Sequence, residues 1–229
     1  MEPVIGIAFW AILFIVTHLI LSSQAVRPRL IAILGEQPFR GVYSVVAFAT
    51  LIPLIIVFAR HKHAGPMLWY LRDIGAVRAL AVIMMAAALI FLASAFVTPN
   101  PAGIGAPNDA RVRGMLKLTR HPSFVAFILF GLAHMLMNGW LGDLFFFGAF
   151  AVLGVAGGFH QDSRKRRDLG GQYQHFIAET SFFPGVALAT GRQRWSAADM
   201  PWAAIGIGAA LVVVLLLVHP YVFGGNPLG

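Results

Sequence analysis

Two histidines lie inside apolar runs long enough to enter a lipid bilayer: His18 in "FWAILFIVTHLILSS" and His134 in "TRHPSFVAFILFGLAHMLMNGW". Ionisable side chains at such positions are rare, and they usually face a bundle interior where they mark a site. Each imidazole has two readings, a hydrogen bond to a neighbouring helix or coordination of a metal. Phe14 and Ser22 stand one turn either side of His18, so an aromatic ring, an imidazole and a hydroxyl share one stripe that could line an apolar cofactor pocket. Gly131 and Asn138 flank His134. A glycine there leaves room for a flat ligand against the helix, and Asn138 offers a group for a ring nitrogen or a propionate. Neutral imidazole is a standard haem iron ligand. Zinc fits less well, because no carboxylate or thiolate stands near either histidine to complete a tetrahedron.

Arg120-His121-Pro122 opens the second run. Proline at the first helical position starts a helix well, and the free N–H groups of that end attract anions. The triplet therefore reads as a headgroup, phosphate or carboxylate contact at the membrane face, or as a simple anchor. His61, His63 and His219 read as polar residues at the opposite interface, and His175 as ordinary surface.

These side chains need helices to position them. The chain has 229 residues, of which 59% are hydrophobic and 11% charged, with mean hydropathy +0.78. A soluble domain carries about a quarter charged residues, so the composition is that of an integral membrane protein. There is no cysteine, which excludes disulfides, thiolate metal sites and a cysteine nucleophile. The net charge of +8 reads as positive charge kept on cytoplasmic loops and not as a nucleic-acid footprint. Met1-Glu2-Pro3 puts no basic residue ahead of the first apolar run, which reads as a retained helix and not a signal peptide.

Six apolar segments predict an all-α polytopic bundle forming a single membrane domain: 4–22, 41–59, 76–97, 123–139, 141–159 and 202–218. The fourth and fifth are joined so tightly that they must form an antiparallel hairpin turning at Asn138-Gly139. Thirteen Lys and Arg fall on one side of this arrangement and four on the other, so the positive-inside rule puts both termini outside, in the periplasm of a bacterial cell. Gly154 and Gly158 form a small-residue packing face on the fifth segment. The stretch "TPNPAGIGAPNDARVRG" is too rich in proline and glycine for regular structure. The residues 161–174 predict a basic interfacial helix, interrupted at Gly170-Gly171, lying on anionic headgroups.

The histidine-bearing segments, with "RPRLIAILGEQPFRGVYS" between them, resemble the NnrU family of bacterial inner-membrane proteins over most of the chain. That resemblance implies a link to denitrification and nitric oxide metabolism, either as an enzyme or as a non-catalytic accessory factor. The family is similar in turn to the 15-cis-zeta-carotene isomerases, haem b membrane enzymes in which two histidines ligate the iron and redox-linked ligand switching opens the site. By motif the ligands fall on His18 and His134. The isomerase carries a cysteine three residues before its second ligand, where Gly131 stands here. A ligand exchange using that cysteine has no counterpart in this chain.

A second resemblance is to the isoprenylcysteine and phospholipid methyltransferases, which bind S-adenosylmethionine at the cytoplasmic face. It rests on "RHP" followed after a hairpin by "QDSRKRRDLGGQYQHF". Asp162-Ser163 stands where those enzymes carry an acidic pair. The leading expectation is haem b bound by His18 and His134, with Gly131, Asn138, Arg120 and His121 around it, and an apolar small molecule as substrate. Along straight helices His18 lies toward the cytoplasmic side and His134 toward the outer side of the bilayer. If those depths hold, His121 or His160 is the better partner for His18.

Overall fold

The computed structural model describes residues 1–103 and 111–228. Residues 104–110 of the proline- and glycine-rich stretch lie outside the described residues. The helices, in chain order, are α1 (Glu2–Leu21), α2 (Arg27–Leu34), α3 (Glu36–Arg60), α4 (Gly75–Val97), α5 (Met115–Leu118), α6 (Pro122–Met137), α7 (Leu141–Leu169), α8 (Gly171–Glu179), α9 (Val186–Ala189) and α10 (Trp202–Val222). A one-turn 3-10 segment spans Ala197–Asp199. Among the described residues there is no strand, only one isolated bridge between Met67 and Trp140.

Five of these helices, α1, α3, α4, α7 and α10, are long and apolar enough to cross a membrane. They are apolar all round, unlike the one-sided helices of soluble proteins. On α1, Val4, Ile7, Ala11 and Phe14 are buried while Ile5, Phe9, Ile12, Val16 and Ile20 are exposed. That second apolar face needs lipid. The fourth expected span is α6, at 16 residues about 24 Å long and short of a core about 30 Å thick. Its ends do not reach for headgroups because protein covers both of them. Irregular backbone at membrane depth is tolerated where it is buried in protein.

At one end of α6 the connection between α3 and α4 closes over the α6–α7 turn. Leu68 N–H donates to Gly139 O at 2.7 Å, Leu141 N–H to Pro66 O at 3.1 Å, Gly142 N–H to Ala64 O at 2.9 Å, and the Trp69 indole N–H to Met135 O at 3.0 Å. His63 takes a positive φ of 59° and gives both its backbone N–H and its Nδ1 to the buried carboxylate of Asp143, at 3.3 and 2.8 Å. Asn138 turns the chain as expected, and its side-chain amide caps α6 by donating to His134 O at 2.9 Å.

The hairpin of α6 and α7 packs through glycines. A Cβ on Gly154 would meet Phe124 O at 2.8 Å, and one on Gly131 would meet Phe147 O at 2.6 Å. Both helices therefore approach backbone to backbone, as small-residue faces allow. Gly158, the other half of the expected face, instead admits the Phe182 ring. α7 also packs on α1, in parallel: Ile7 lies against Gly142 near one end, and Ser22 meets His160 near the other. Hence α1 and α6, both packed on α7, run in opposite directions.

The connection between α3 and α4, with the first turn of α4, also meets the start of α1 and the residues that follow α10. Gly65 lies against Val4, Lys62 donates to Phe223 O at 2.9 Å, and Arg78 to Leu228 O at 3.2 Å. Both termini thus share one face of the bundle, as an even number of crossings requires. The basic segment is not a separate interfacial helix. It continues α7, whose 29 residues span about 43 Å and so project past the bilayer core. The expected break does fall at Gly170, with φ of 56°, and α8 follows.

Candidate functional site

His18 and His134 are held in the same way. In each, Nδ1 lies against the carbonyl one turn earlier, Phe14 O at 2.7 Å and Phe130 O at 2.9 Å. A carbonyl only accepts, so Nδ1 carries the proton and Nε2 keeps its lone pair. A side chain one turn later bonds the histidine's own carbonyl, Ser22 Oγ at 2.7 Å and Asn138 Nδ2 at 2.9 Å. Neither Nε2 has a hydrogen-bond partner among the described residues, and neither is sealed away from a ligand. Each ring therefore has one nitrogen tied to a carbonyl and the other free to accept a proton or a metal.

The two rings share a setting of phenylalanines. His18 lies edge-on to Phe14 at 4.3 Å between centroids, Phe14 is 6.0 Å from Phe150, Phe150 is 5.2 Å from Phe130, and Phe130 is 4.4 Å from His134. His134 also stacks on Phe147 at 4.6 Å, and His18 meets Tyr43 at 5.4 Å. The direction of lean matters. Helical side chains point back toward their own N-terminus. Because α1 and α6 are antiparallel, the two imidazoles lean toward each other's depth, into the layer of Phe14, Phe130 and Phe150. The offset expected from straight helices is thereby reduced. No ring contact or hydrogen bond joins His18 directly to His134, and among the described residues no group of three or more metal-ligating side chains occurs. Two imidazoles suffice for a haem iron.

The space beside Gly131 is not open for a flat ligand. The backbone of α7 fills it, and the glycine's role is to let α6 close on α7 at the height where His134 stacks on Phe147. Asn138 is likewise engaged in capping α6.

Arg120 and His121 sit elsewhere, in a buried polar knot at the other end of α6. Arg120 Nε donates to Asp162 Oδ1 and Oδ2 at 3.1 and 2.9 Å, His121 Nε2–H donates to Oδ1 at 2.7 Å, and Tyr173 O–H donates to Oδ1 at 2.7 Å. Of the anions open to the triplet, the one it meets is a carboxylate of the chain itself, and the contact is buried: His121 and Asp162 are each 2% exposed. The surrounding backbone is satisfied too. Asn100 Nδ2 donates to Arg120 O at 2.9 Å, Arg120 N–H to Ser181 O at 2.9 Å, and Thr119 Oγ1 to Phe182 O at 2.6 Å. Burial holds the His121 imidazole below its ordinary pKa in spite of Asp162, and burial with the neighbouring carboxylate pushes the Tyr173 phenol up. At neutral pH the knot is one guanidinium and one carboxylate flanked by a neutral imidazole and a neutral phenol.

His160 is placed at Ser22, whose hydroxyl donates to His18 O and accepts from His160 Nδ1 at 3.1 Å. It therefore stands one turn from His18, whereas His121 has its Nε2 committed to Asp162. Sequence reasoning missed Phe130, Phe147, Phe150 and Tyr43 around the histidines, and Asp162 with Tyr173 around Arg120. The signal for Phe130 was present, since a phenylalanine stands four residues before each histidine and a polar cap four residues after; Tyr43, Phe147 and Phe150 come from other helices. The signal for the second group was weaker. A buried arginine needs a carboxylate, and the chain has only nine Asp and Glu to supply one.

Two curated proteins resemble this chain. The 15-cis-zeta-carotene isomerase, chloroplastic, of Arabidopsis thaliana is 26% identical over 239 residues, covering 98% of this chain and 62% of that protein. The protein of the same name from Zea mays is 26% identical over 167 residues, covering 71% of this chain and 45% of that protein. The chain therefore spans less than two thirds of the length of each relative. No solved structure matches it. The family model described as NnrU protein matches residues 7–227, nearly the whole histidine-bearing bundle, and the chain belongs to the NnrU family.

Proposed function

We propose that this protein binds haem b between α1 and α6, where His18 and His134 would hold it, and that it acts there on an apolar polyene, as a carotenoid cis–trans isomerase does. The observation that carries the reading is the matched pair of imidazoles: Nδ1 fixed on the i−4 carbonyl, Nε2 free, and both leaning from antiparallel helices into one phenylalanine layer. The name of the two relatives supports the substrate class. Bound haem supplies a one-electron iron centre. The chain's own part is to orient both rings through their Nδ1–H bonds and to exclude water with Phe14, Phe130, Phe147 and Phe150. The membrane-facing apolar surface gives a lipid-soluble substrate a route that never enters water.

The methyltransferase alternative loses its acidic group. Asp162 accepts from Arg120, His121 and Tyr173 and has nothing left for a cationic cofactor. His160, one turn from His18, is the second candidate ligand. The test is an absorption spectrum of protein purified after expression with haem supply, followed by conversion of 15-cis-zeta-carotene in proteoliposomes under reducing and oxidising conditions. A Soret band and redox-dependent conversion support the proposal. A colourless protein that binds S-adenosylmethionine overturns it, and a coloured protein inert toward the carotenoid overturns the substrate half.

A further inference from the structure

One charged region of the bundle has no role in either cluster described above. Where α1 ends, the turn 22–26, the start of α2 and α3 and the tail of α7 converge. Gln24 Nε2 donates to Ser163 Oγ at 2.7 Å, Arg167 reaches Gln24 O at 3.4 Å, and His160 donates to Ser22. Arg27 follows this turn in the chain, and Arg164 and Lys165 follow Ser163 on α7, so the three cations lie around the same junction. Arg164 is within electrostatic reach of Arg27, Lys165 and Tyr43.

Arg164 and Lys165 are half-buried, whereas Arg166 and Arg167, next along α7, are exposed. Among the described residues, neither Arg164 nor Lys165 donates to an acceptor or forms an ion pair. Arg27 has Glu36 at 3.7 Å, but Glu36 makes its closer contact to Arg40 at 2.9 Å. Asp168 also lies within electrostatic reach of Arg164 and Lys165, but it is exposed and pairs with Arg167 at 3.8 Å. Three partly desolvated cations thus lie around one junction with little negative charge among them, an arrangement that costs free energy until an anion arrives.

The junction also points toward His18. The Arg27 guanidinium lies over Phe39 at 5.6 Å, Phe39 is 6.3 Å from Tyr43, and Tyr43 is 5.4 Å from His18. We propose that Arg27, Arg164 and Lys165 form an oxyanion site beside His18, taking the carboxylate of a porphyrin or the phosphodiester of an anionic lipid. The two sources share a pair of anionic oxygens that a guanidinium fork can meet in bidentate fashion. The first rests on the haem reading above, and the second does not. The basic segment is then more than a headgroup anchor: its inward half belongs to a ligand site.

The test compares purified wild type with Arg27→Gln, Arg164→Gln and Lys165→Gln, using Arg166→Gln as a charge-matched exposed control on the same helix. The probes are haemin, haemin dimethyl ester, which lacks free carboxylates, and nanodiscs of phosphatidylglycerol or phosphatidylcholine. If porphyrin is the source, wild type prefers haemin to the diester by about tenfold. That preference falls toward parity in Arg164→Gln and Arg27→Gln with the Soret position unchanged, and persists in Arg166→Gln. If wild type takes up neither porphyrin, the haem reading has failed while this one stands on its lipid arm. Phosphatidylglycerol is then retained by wild type and Arg166→Gln and lost from Arg164→Gln and Lys165→Gln. No discrimination in wild type within either pair of probes, or equal losses in Arg164→Gln and Arg166→Gln, overturns the proposal.

Discussion

Asp162 on α7 meets Arg120, 42 residues earlier in the chain, through both carboxylate oxygens, and this contact ties the start of α6 to α7 inside the protein. It explains how a 16-residue helix can sit in a bundle of longer ones. The end of α6 stops at a buried ion pair instead of at water.

Asp162→Asn therefore leaves the Arg120 guanidinium buried without its charge partner. Breaking a buried pair on one side costs about 3–5 kcal/mol. Thermal unfolding in detergent should show a large fall in midpoint, and the Tyr173→Phe variant, which removes one neutral donor, a smaller one. Equal effects from the two substitutions would contradict the account of Asp162 as the centre of the knot.

The His121 imidazole has its pKa depressed by burial. A depressed folded-state pKa means that the unfolded chain binds the proton more readily. The corresponding stability is present above the unfolded value, about 6.5, and is lost as pH falls from there toward the folded value. Wild type should lose stability on acidification through this window more steeply than His121→Gln. Parallel pH profiles would show that His121 does not titrate with folding.

Much of this was legible in the sequence. The six apolar segments, the hairpin at Asn138-Gly139 and the break at Gly170 follow from hydropathy and turn chemistry, which are local properties. What was not legible depends on which helices touch. Of the headgroup, phosphate and carboxylate contacts open to Arg120-His121, the carboxylate could not be singled out because it lies on another helix. Room for a ligand at Gly131 was a fair inference from one helix, but only the packing shows that α7 fills it. The basic segment after Phe159 looked like a separate interfacial helix because charge ends a hydropathy window, although nothing in its residues stops the helix before Gly170.

Gly131→Ala tests that packing. Its Cβ would meet Phe147 O at 2.6 Å, so α6 and α7 must part, at a cost of about 1–3 kcal/mol. The stack of His134 on Phe147 should loosen with it. Gly148→Ala, whose Cβ meets only the Met135 sulfur at 3.6 Å, should be tolerated. The check is unfolding midpoint together with the spectrum of any bound cofactor.

The shared face of the two termini also has an expected direction. Thirteen Lys and Arg lie on the opposite side and four on theirs. A reporter active only in the periplasm should therefore be active when fused to the C-terminus. Activity of a cytoplasmic reporter there instead would invert the bundle and put the Asp162 knot outside.

The central claim is that His18 and His134 would together hold one haem iron. The most direct measurement is electron paramagnetic resonance of the purified ferric protein, with His18→Gly, His134→Gly, His160→Gly and His121→Gly, each with and without added imidazole. The account predicts a low-spin bis-imidazole signal in wild type. It predicts conversion to high spin in the His18 and His134 variants alone, with imidazole restoring low spin in both. A low-spin signal that survives loss of His134 and vanishes with His160 would move the second ligand to α7. A wild-type protein without haem would contradict the claim outright.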